Sequence, residues 1–242
     1  MAPLDNFTLI GLPYVALVVF LVGTIYRYKA TKFRYSSLSS QFLEGRQLFW
    51  GSVPFHWGIL VLFFGHLIAF LVPRELLAFN SHPVRLLIIE ISAFVFGLIV
   101  LGGLITLFRR RVITPRLKIV TTRMDIILEV MLILQIITGL VVALGFRWGS
   151  SWFAAVLTPY LQSVMTLQPD IAAVASMHWL IKLHIIGAYL IMMLVPFSRL
   201  VHILVVPLHY IWRPYQLVIW SWNRKRVRRA SSPWTATKPT NN

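Results

Sequence analysis

The stretch FHWGILVLFFGHL, residues 55 to 67, places two histidines inside a run that is otherwise apolar enough to lie in lipid. An imidazole in such a place loses its hydration, so it needs a hydrogen-bond partner, a proton-transfer role or a metal. The partners of His56 and His66 therefore decide what this part of the chain does.

The composition defines the class of protein that surrounds this stretch. Of the 242 residues, 58% are hydrophobic and 12% are charged, and the mean hydropathy is +0.76. A soluble domain of this size cannot bury so much apolar surface, so the composition predicts a multi-span membrane protein. The absence of cysteine from the sequence excludes disulfides, thiolate-bound zinc and cysteine-ligated iron–sulfur clusters. A redox metal must therefore be held by histidine or methionine, or within a macrocycle.

Five apolar runs are long enough, at about 20 residues each, to cross roughly 30 Å of hydrocarbon. The first run lacks the basic leader and small-residue cleavage site of a removed signal peptide, so it is predicted to stay as a span. The chain is expected to be an all-α bundle of five transmembrane helices over residues 1–207, followed by a basic tail over 208–242. The predicted spans are 7–26, 49–72, 86–108, 124–146 and 179–207.

The formal net charge of +16 is distributed in a way that predicts membrane topology and argues against nucleic-acid binding. Segments 27–48, 109–123 and 208–242 contain five, six and seven Lys and Arg. The loops on the opposite side contain three, which are Arg74, Arg85 and Arg147. Because basic residues accumulate on the cytoplasmic side, the N-terminus is predicted to lie outside and the C-terminus in the cytoplasm.

Two segments beside the spans are predicted to lie at the membrane surface. The semi-apolar stretch WFAAVLTPYLQSVMTL, at 152–167, is predicted to form an interfacial helix. The tail from 208 mixes Trp, Tyr and Arg, which suits anionic lipid headgroups or a partner protein.

Four histidines are sorted by depth because spans two and five cross the membrane in opposite directions. His56 and His202 are expected near the inner side, and His66 and His184 nearer the outer side. Bis-histidine ligation of a b-type heme requires this arrangement, with one imidazole from each of two facing helices. Hydrogen-bonded histidines packed between helices, or a proton relay, are the alternatives. The histidines at or beyond the span ends, predicted to be solvated, are His82, His178 and His209.

Helix geometry supports this pairing only in part. The 18 residues from His184 to His202 span about 27 Å and almost a whole number of turns, so one continuous helix presents both on the same face. The 10 residues from His56 to His66 span about 15 Å and miss a common face by roughly 80°. Two stacked hemes therefore require tilted helices or tilted porphyrins.

These motifs make the chain resemble the gamma subunit of respiratory nitrate reductase, a membrane cytochrome b, over nearly its whole length. The most specific match combines the FH…GH pair at 55–67 with LHIIGAYL at 183–190 and PFSRLVHI at 196–203. Further matching stretches are YRY at 26–28, SSQFLEGRQL at 39–48, RRRVITPRLKIVTT at 109–122 and YQLV at 215–218.

The resemblance implies two b hemes, the outer one held by His66 and His184 and the inner one by His56 and His202. It implies that quinol from the membrane pool is oxidised beside the outer heme, in the cytoplasmic (inner) membrane. Electrons would then reach an iron–sulfur beta subunit and a molybdopterin-containing alpha subunit on the cytoplasmic side, where nitrate becomes nitrite. The present chain would have no nitrate-reducing centre of its own.

Two other functions are compatible with the same residues. The scaffold can work in reverse, in nitrite oxidation, or serve another quinone-linked redox complex. A heme-free transporter or anchor, whose histidines relay protons or bind a substrate, is the alternative from a different class.

Three basic residues are candidates for contacts with anionic or quinone groups. Lys182 and Arg199 lie inside span five and are predicted to bind heme propionates, with snorkelling to lipid headgroups as the alternative. The family has a lysine on the outer side near the start of the third helix, and Arg85 is the nearest basic residue here. Arg85 can hold a quinone oxygen or a propionate, although it cannot accept a proton at ordinary pH. His82 is a second candidate for that role.

Two acidic residues inside the spans have no role predicted for them. Glu90 lies in span three and Glu129 in span four. Each can relay protons or pair with a basic neighbour.

Overall fold

A computed structural model describes residues 3–31 and 46–205, and within them all regular secondary structure is helical. The tail from 208, including His209, and most of the basic segment 27–48 lie outside the described residues. The α-helices are α1 (Pro3–Asn6), α2 (Leu12–Thr31), α3 (Arg46–Leu71), α4 (Pro73–Asn80), α5 (Pro83–Ile113), α6 (Pro115–Val120), α7 (Arg123–Gly145), α8 (Gly149–Trp152), α9 (Thr158–Met165), α10 (Ala172–Ala175) and α11 (Trp179–Leu194). Two π-helical turns, Phe7–Gly11 and Phe153–Leu157, and two 3₁₀ segments, Val195–Phe197 and Arg199–Val205, complete the described path.

Five helical stretches are long and apolar enough to cross a membrane, which confirms the predicted number of spans. Many of their Leu, Ile, Val and Phe side chains are exposed. Such a surface is stable in an apolar solvent such as lipid, and it would cause aggregation in water. The stretches are Pro3–Ala30, Gln47–Leu71, Pro83–Ile113, Arg123–Gly145 and Trp179–Phe197.

The prediction of one continuous helix over 179–207 is wrong in its second half. The α-helix ends at Leu194, a 3₁₀ turn follows, and Ser198 is extended, with φ −118° and ψ −177°. Pro196 explains the break, because it has no N–H and its ring crowds the preceding turn. The Arg27 guanidinium donates to the carbonyls of Pro196 and Ser198, at 2.7 and 2.8 Å. His184 and His202 therefore do not lie on one helix, and each is oriented independently.

The long helices pack in the order α3, α5, α7, α11 and α2. Glycines allow α3 and α5 to approach closely, as small residues do in membrane helices. A Cβ at Gly58 would lie 2.6 Å from Val100 Cγ2, and one at Gly103 would lie 2.8 Å from the Gly51 carbonyl. Within the described residues, α3 forms no comparable interface with α11.

The stretch predicted to form an interfacial helix is helical and consists of α8, the turn Phe153–Leu157 and α9, whereas its position at the membrane surface stays a prediction. Its buried side chains form a small core with those of the N-terminal helix and α10, made of Leu9, Leu157, Tyr160, Ile171 and Val174. Leu9 lies in the π-helical turn Phe7–Gly11, and its carbonyl accepts a hydrogen bond from the Tyr160 hydroxyl at 2.7 Å. Burial raises the pKa of the Tyr160 phenol, so it is a neutral donor at ordinary pH.

Candidate functional site

His56 of α3 and His202 of the 3₁₀ segment Arg199–Val205 face each other. Their ring centroids are 6.1 Å apart and their planes differ by 58°. Both side chains are exposed in the protein alone. The structure thus brings together the two histidines that depth had paired, although they come from segments distant in sequence.

His66 and His184 are the second pair that depth predicts. The His66 ring also meets Phe153 edge-on, with 5.4 Å between the centroids. His66 is exposed, whereas His184 is partly buried against α7.

Three of the four imidazoles are oriented by a carbonyl of their own segment. A carbonyl can only accept a hydrogen bond, so each Nδ1 carries the proton and Nε2 keeps the lone pair that can bind a metal. Metal-binding histidines usually have this arrangement. The bonds join His56 to Ser52, His66 to Leu62 and His202 to Arg199, each with a nitrogen–oxygen distance of 2.7 Å.

His184 is oriented by side chains of α7. Its Nδ1 lies 3.1 Å from the Thr138 hydroxyl. The Gln135 amide nitrogen donates to the His184 carbonyl at 3.0 Å. A Cβ at Gly139 would lie 2.9 Å from His184 Cε1, so glycine allows the ring to approach α7. These α7 residues were missed in the sequence, although Gln135 and Thr138 are polar residues inside an apolar span, which is a signal of function or packing.

The two other histidines in the described residues differ from these four. His178 caps α11, and its Nδ1 accepts from the Leu180 N–H at 3.3 Å, so it is not the protonated nitrogen. His82 is exposed and precedes the first residue of α5. In the described part of the chain, no three His, Asp or Glu side chains converge as they would around a metal held by protein alone.

Lys182 and Arg199 each have a carboxylate partner in the protein. Lys182 Nζ lies 2.9 Å from Asp5 Oδ1 and also donates to the Ala175 carbonyl at 3.2 Å. Arg199 Nε lies 2.6 Å from Asp125 Oδ1. Their roles toward heme propionates stay predictions.

Asp125 is the centre of an ionic cluster between α5, α7 and the 3₁₀ segment that carries His202. Its side chain is 4% exposed, and it pairs with both Arg199 and, at 3.5 Å, Arg111. Arg111 also binds Glu129 at 2.8 Å, so Glu129 has a basic neighbour. Asp125 further forms a capping box with Thr122 at the start of α7. That T-x-x-D pattern is visible in the sequence, but the partnership with Arg199 was missed.

Arg85 and Glu90 lie along the first turns of α5. Arg85 is exposed, and its guanidinium carbon lies 5.3 Å from the centroid of the Phe79 ring. Its quinone role stays a prediction. Glu90 accepts from the backbone N–H groups of Gly149 and Ser150, at 3.1 and 2.9 Å, and from the Ser150 hydroxyl. Glu90 therefore caps the N-terminus of α8. Helix α8 is followed directly by the turn that contains Phe153, the residue in contact with His66.

Five helices able to cross a membrane, together with four ligand-type histidines, define the class as a helical integral membrane protein. The family model described as nitrate reductase gamma subunit matches residues 5–221. The chain belongs to the nitrate reductase gamma subunit family, which confirms the resemblance in its motifs.

Three relatives illustrate how much of the chain the family resemblance covers. The nitrate reductase gamma chain of Bacillus subtilis (strain 168) is 31% identical over 209 residues, 84% of this chain and 93% of its own length. Respiratory nitrate reductase 1 gamma chain of Escherichia coli (strain K12) is 33% identical over 215 residues, 85% and 93% of the two chains. The nitrate reductase-like protein NarX of Mycobacterium tuberculosis is 32% identical over 213 residues, which are 84% of this chain and 32% of that longer protein.

Family membership defines the chain as a membrane subunit of a nitrate reductase, which is an oxidoreductase. The gamma designation of its relatives implies association with other nitrate reductase subunits. The chain is thus a subunit without the nitrate-reducing centre, as predicted.

Proposed function

We propose that this chain is the membrane anchor and electron-transfer subunit of a quinol-linked nitrate reductase in the cytoplasmic membrane. It oxidises quinol at its outer side and delivers the electrons to an iron–sulfur beta subunit in the cytoplasm. A molybdopterin-containing alpha subunit then reduces nitrate to nitrite. Two b hemes are the cofactors, the outer one at His66 and His184 and the inner one at His56 and His202.

The His56–His202 separation is the observation that carries the proposal. Metal–imidazole bonds are about 2 Å long, and the ring centroid lies roughly 1 Å beyond the nitrogen, so two imidazoles that would hold one metal from opposite sides have centroids about 6 Å apart. The observed centroid separation is 6.1 Å. His56 and His202 would therefore fit as the two protein ligands of one heme iron.

Protonation of Nδ1 supports the same interpretation. Backbone carbonyls hold the Nδ1–H of His56, His66 and His202, which leaves the Nε2 lone pair for the metal and prevents rotation of the ring. When bound, heme iron supplies a carrier of single electrons that alternates between ferric and ferrous states.

The charged residues complete the proposal. Lys182 and Arg199 are proposed as partners of the heme propionates. Lys182 would keep its ion pair with Asp5 at the same time, and Arg199 its ion pair with Asp125. Arg85, with His82 near it, is proposed to hold a quinone oxygen at the outer side. The basic cytoplasmic segments are proposed to face the iron–sulfur subunit.

The reduced-minus-oxidised visible spectrum of the purified full chain tests the cofactors. The wild type is expected to show a b-type band and two hemes per chain. His66→Ala is expected to retain one heme, because it removes one axial ligand from one site only. His82→Ala is the matched control, since His82 is an exposed histidine outside both pairs, and it is expected to retain two. A featureless wild-type spectrum would favour a heme-free transporter or anchor, and two hemes in His66→Ala would refute the ligand assignment.

The complex with its partner subunits tests the direction of electron flow. Quinol is expected to reduce the hemes, and nitrate added afterwards is expected to oxidise them again. Reduction of the hemes by nitrite, with no oxidation by nitrate, would instead support the reverse reaction.

A further inference from the structure

We propose that Thr138 of α7 is the positioning residue that sets the tautomer and orientation of His184. The part of this inference that concerns heme rests on the proposed function. The part that concerns the ring's protonation depends on the protein alone.

His184 differs from the other three paired histidines in the source of its Nδ1 partner. The others bond to carbonyls three or four residues earlier in the chain. His184 bonds to a hydroxyl on a neighbouring helix, Thr138 Oγ1, at 3.1 Å. A hydroxyl can donate or accept, so the tautomer of His184 depends on where the hydroxyl proton goes.

The Thr138 proton has another acceptor. Thr138 Oγ1 donates to the Gln135 carbonyl, one turn earlier in α7, at 2.9 Å. A hydroxyl has one proton, so its remaining lone pairs face His184 and can only accept. The order of donation therefore runs from His184 Nδ1–H to Thr138 and from Thr138 to Gln135. This order leaves the lone pair of His184 on Nε2, which is the nitrogen a metal needs.

Two further contacts support the same tautomer and the same ring position. In the heme-free chain the Gln135 amide nitrogen, which can only donate, lies 3.4 Å from His184 Nε2, and a metal bound at Nε2 would replace this contact. If His184 Nε2 carried a proton, its N–H and the Gln135 amide N–H would be two donors facing each other with no acceptor between them. Gly139 follows Thr138 and has no side chain, so the ring approaches α7 closely enough for the Thr138 bond. Helix α7 thus supplies no ligand but determines the state of one.

Substitution of Thr138 tests the inference directly. Thr138→Val keeps the branched shape and removes the acceptor, whereas Thr138→Ser keeps the acceptor. Loss of the hydrogen-bond partner of the non-coordinating N–H of a metal-binding histidine typically lowers metal affinity by about 10–100-fold. Hemin titration of the heme-free full chain is expected to show that loss at the outer site of Thr138→Val, with an unchanged inner site. Thr138→Ser is expected to restore wild-type affinity.

The midpoint potential of the outer heme is a second readout. A hydrogen bond from Nδ1–H makes the imidazole a stronger electron donor and favours ferric iron. Thr138→Val is therefore expected to move the outer potential to a more positive value. Equal affinity and potential in Thr138→Val and the wild type would overturn the inference, as would a Thr138→Ser variant as defective as Thr138→Val.

Nitrogen-15 chemical shifts of the His184 ring provide a test that does not depend on any variant. In the heme-free wild-type chain the neutral ring is expected to carry its proton on Nδ1. A proton on Nε2 would refute the role of Thr138 even if Thr138→Val fails to fold.

His184→Ala separates this inference from the proposed function. It is expected to abolish the outer heme. If it does so while Thr138→Val matches the wild type, only the inference about Thr138 is wrong. If His184→Ala retains both hemes, the ligand assignment of the proposed function is wrong, whereas the nitrogen-15 result for Thr138 still stands.

Discussion

The His66–His184 pair and the His56–His202 pair contain the same ligand type but are supported differently. The His184 ring lies against α7, where it contacts the Thr138 hydroxyl and the space beside Gly139. Phe153 packs against His66. His56 and His202 are oriented by backbone carbonyls. His202 also follows a break in the helix, and the segment that carries it is bound to α7 through Arg199 and Asp125. One pair thus depends on side-chain packing between regular helices, and the other on an ionic cluster that secures an irregular segment.

This difference follows from the helix break at Pro196. A regular helix positions its side chains by its own geometry, and a neighbour needs only to fit against them. A 3₁₀ segment has poorer hydrogen bonds and is short, so contacts from outside must hold it. The ion pair between Asp125 and Arg199 supplies such a contact, because the Arg199 carbonyl is the group that accepts a hydrogen bond from His202 Nδ1.

Loss of the ionic cluster is expected to have the largest effect. Asp125→Asn removes the negative charge shared by Arg199 and Arg111, and breaking a buried pair costs about 3 kcal/mol of stability. The inner heme is expected to be lost or weakened before the outer one. Thermal unfolding in detergent and heme counts per chain measure both effects.

Asp5→Asn is the matched control, because it breaks the Lys182 pair, whose side chains are 21% and 20% exposed. It is expected to cost about 1 kcal/mol or less and to spare the inner heme. Equal damage to both sites in Asp125→Asn would show that the cluster supports the whole bundle and not the His202 segment.

Overpacking beside His184 is expected to have an intermediate effect on the other pair. Gly139→Ala places a Cβ 2.9 Å from His184 Cε1, and overpacking typically costs about 1–3 kcal/mol. The outer heme is expected to bind more weakly, with the inner heme unchanged, in a hemin titration. At Gly102, a Cβ would meet no atom of the described residues within 4 Å, so Gly102→Ala is the control. Normal outer-heme binding in Gly139→Ala would mean that the ring position is not set by α7.

Ser52→Ala is expected to have the smallest effect and sharpens the contrast with Thr138. The Ser52 hydroxyl lies 3.1 Å from His56 Nδ1, but the Ser52 carbonyl lies closer, at 2.7 Å, and remains in the variant. The expected change in stability is below about 0.5 kcal/mol, with normal affinity for the inner heme in the same titration. An effect as large as that of Thr138→Val would show that hydroxyl bonds support both pairs alike.

The sequence predicted the spans and the histidine pairs more accurately than the contacts around them. Apolar runs and basic loops are properties of consecutive residues, so five helices and the pairing by depth followed from them. The break after Leu194 had a visible signal in Pro196, but apolar composition alone favoured a continuous helix over 179–207. The close contact of Gly58 with Val100 of α5 had no signal in the sequence beyond the small size of glycine.

The amino-acid sequence by itself determined that this is a five-span protein of the nitrate reductase gamma subunit family, with four histidines in two segments far apart in the sequence. The tertiary structure decided which atom each imidazole bonds to, how closely His56 approaches His202, and which carboxylate neutralises Arg199. The physical reason is the range of each effect. Transfer into lipid is a sum over neighbouring residues, whereas hydrogen bonds and ion pairs depend on distances between atoms that only helix packing brings together.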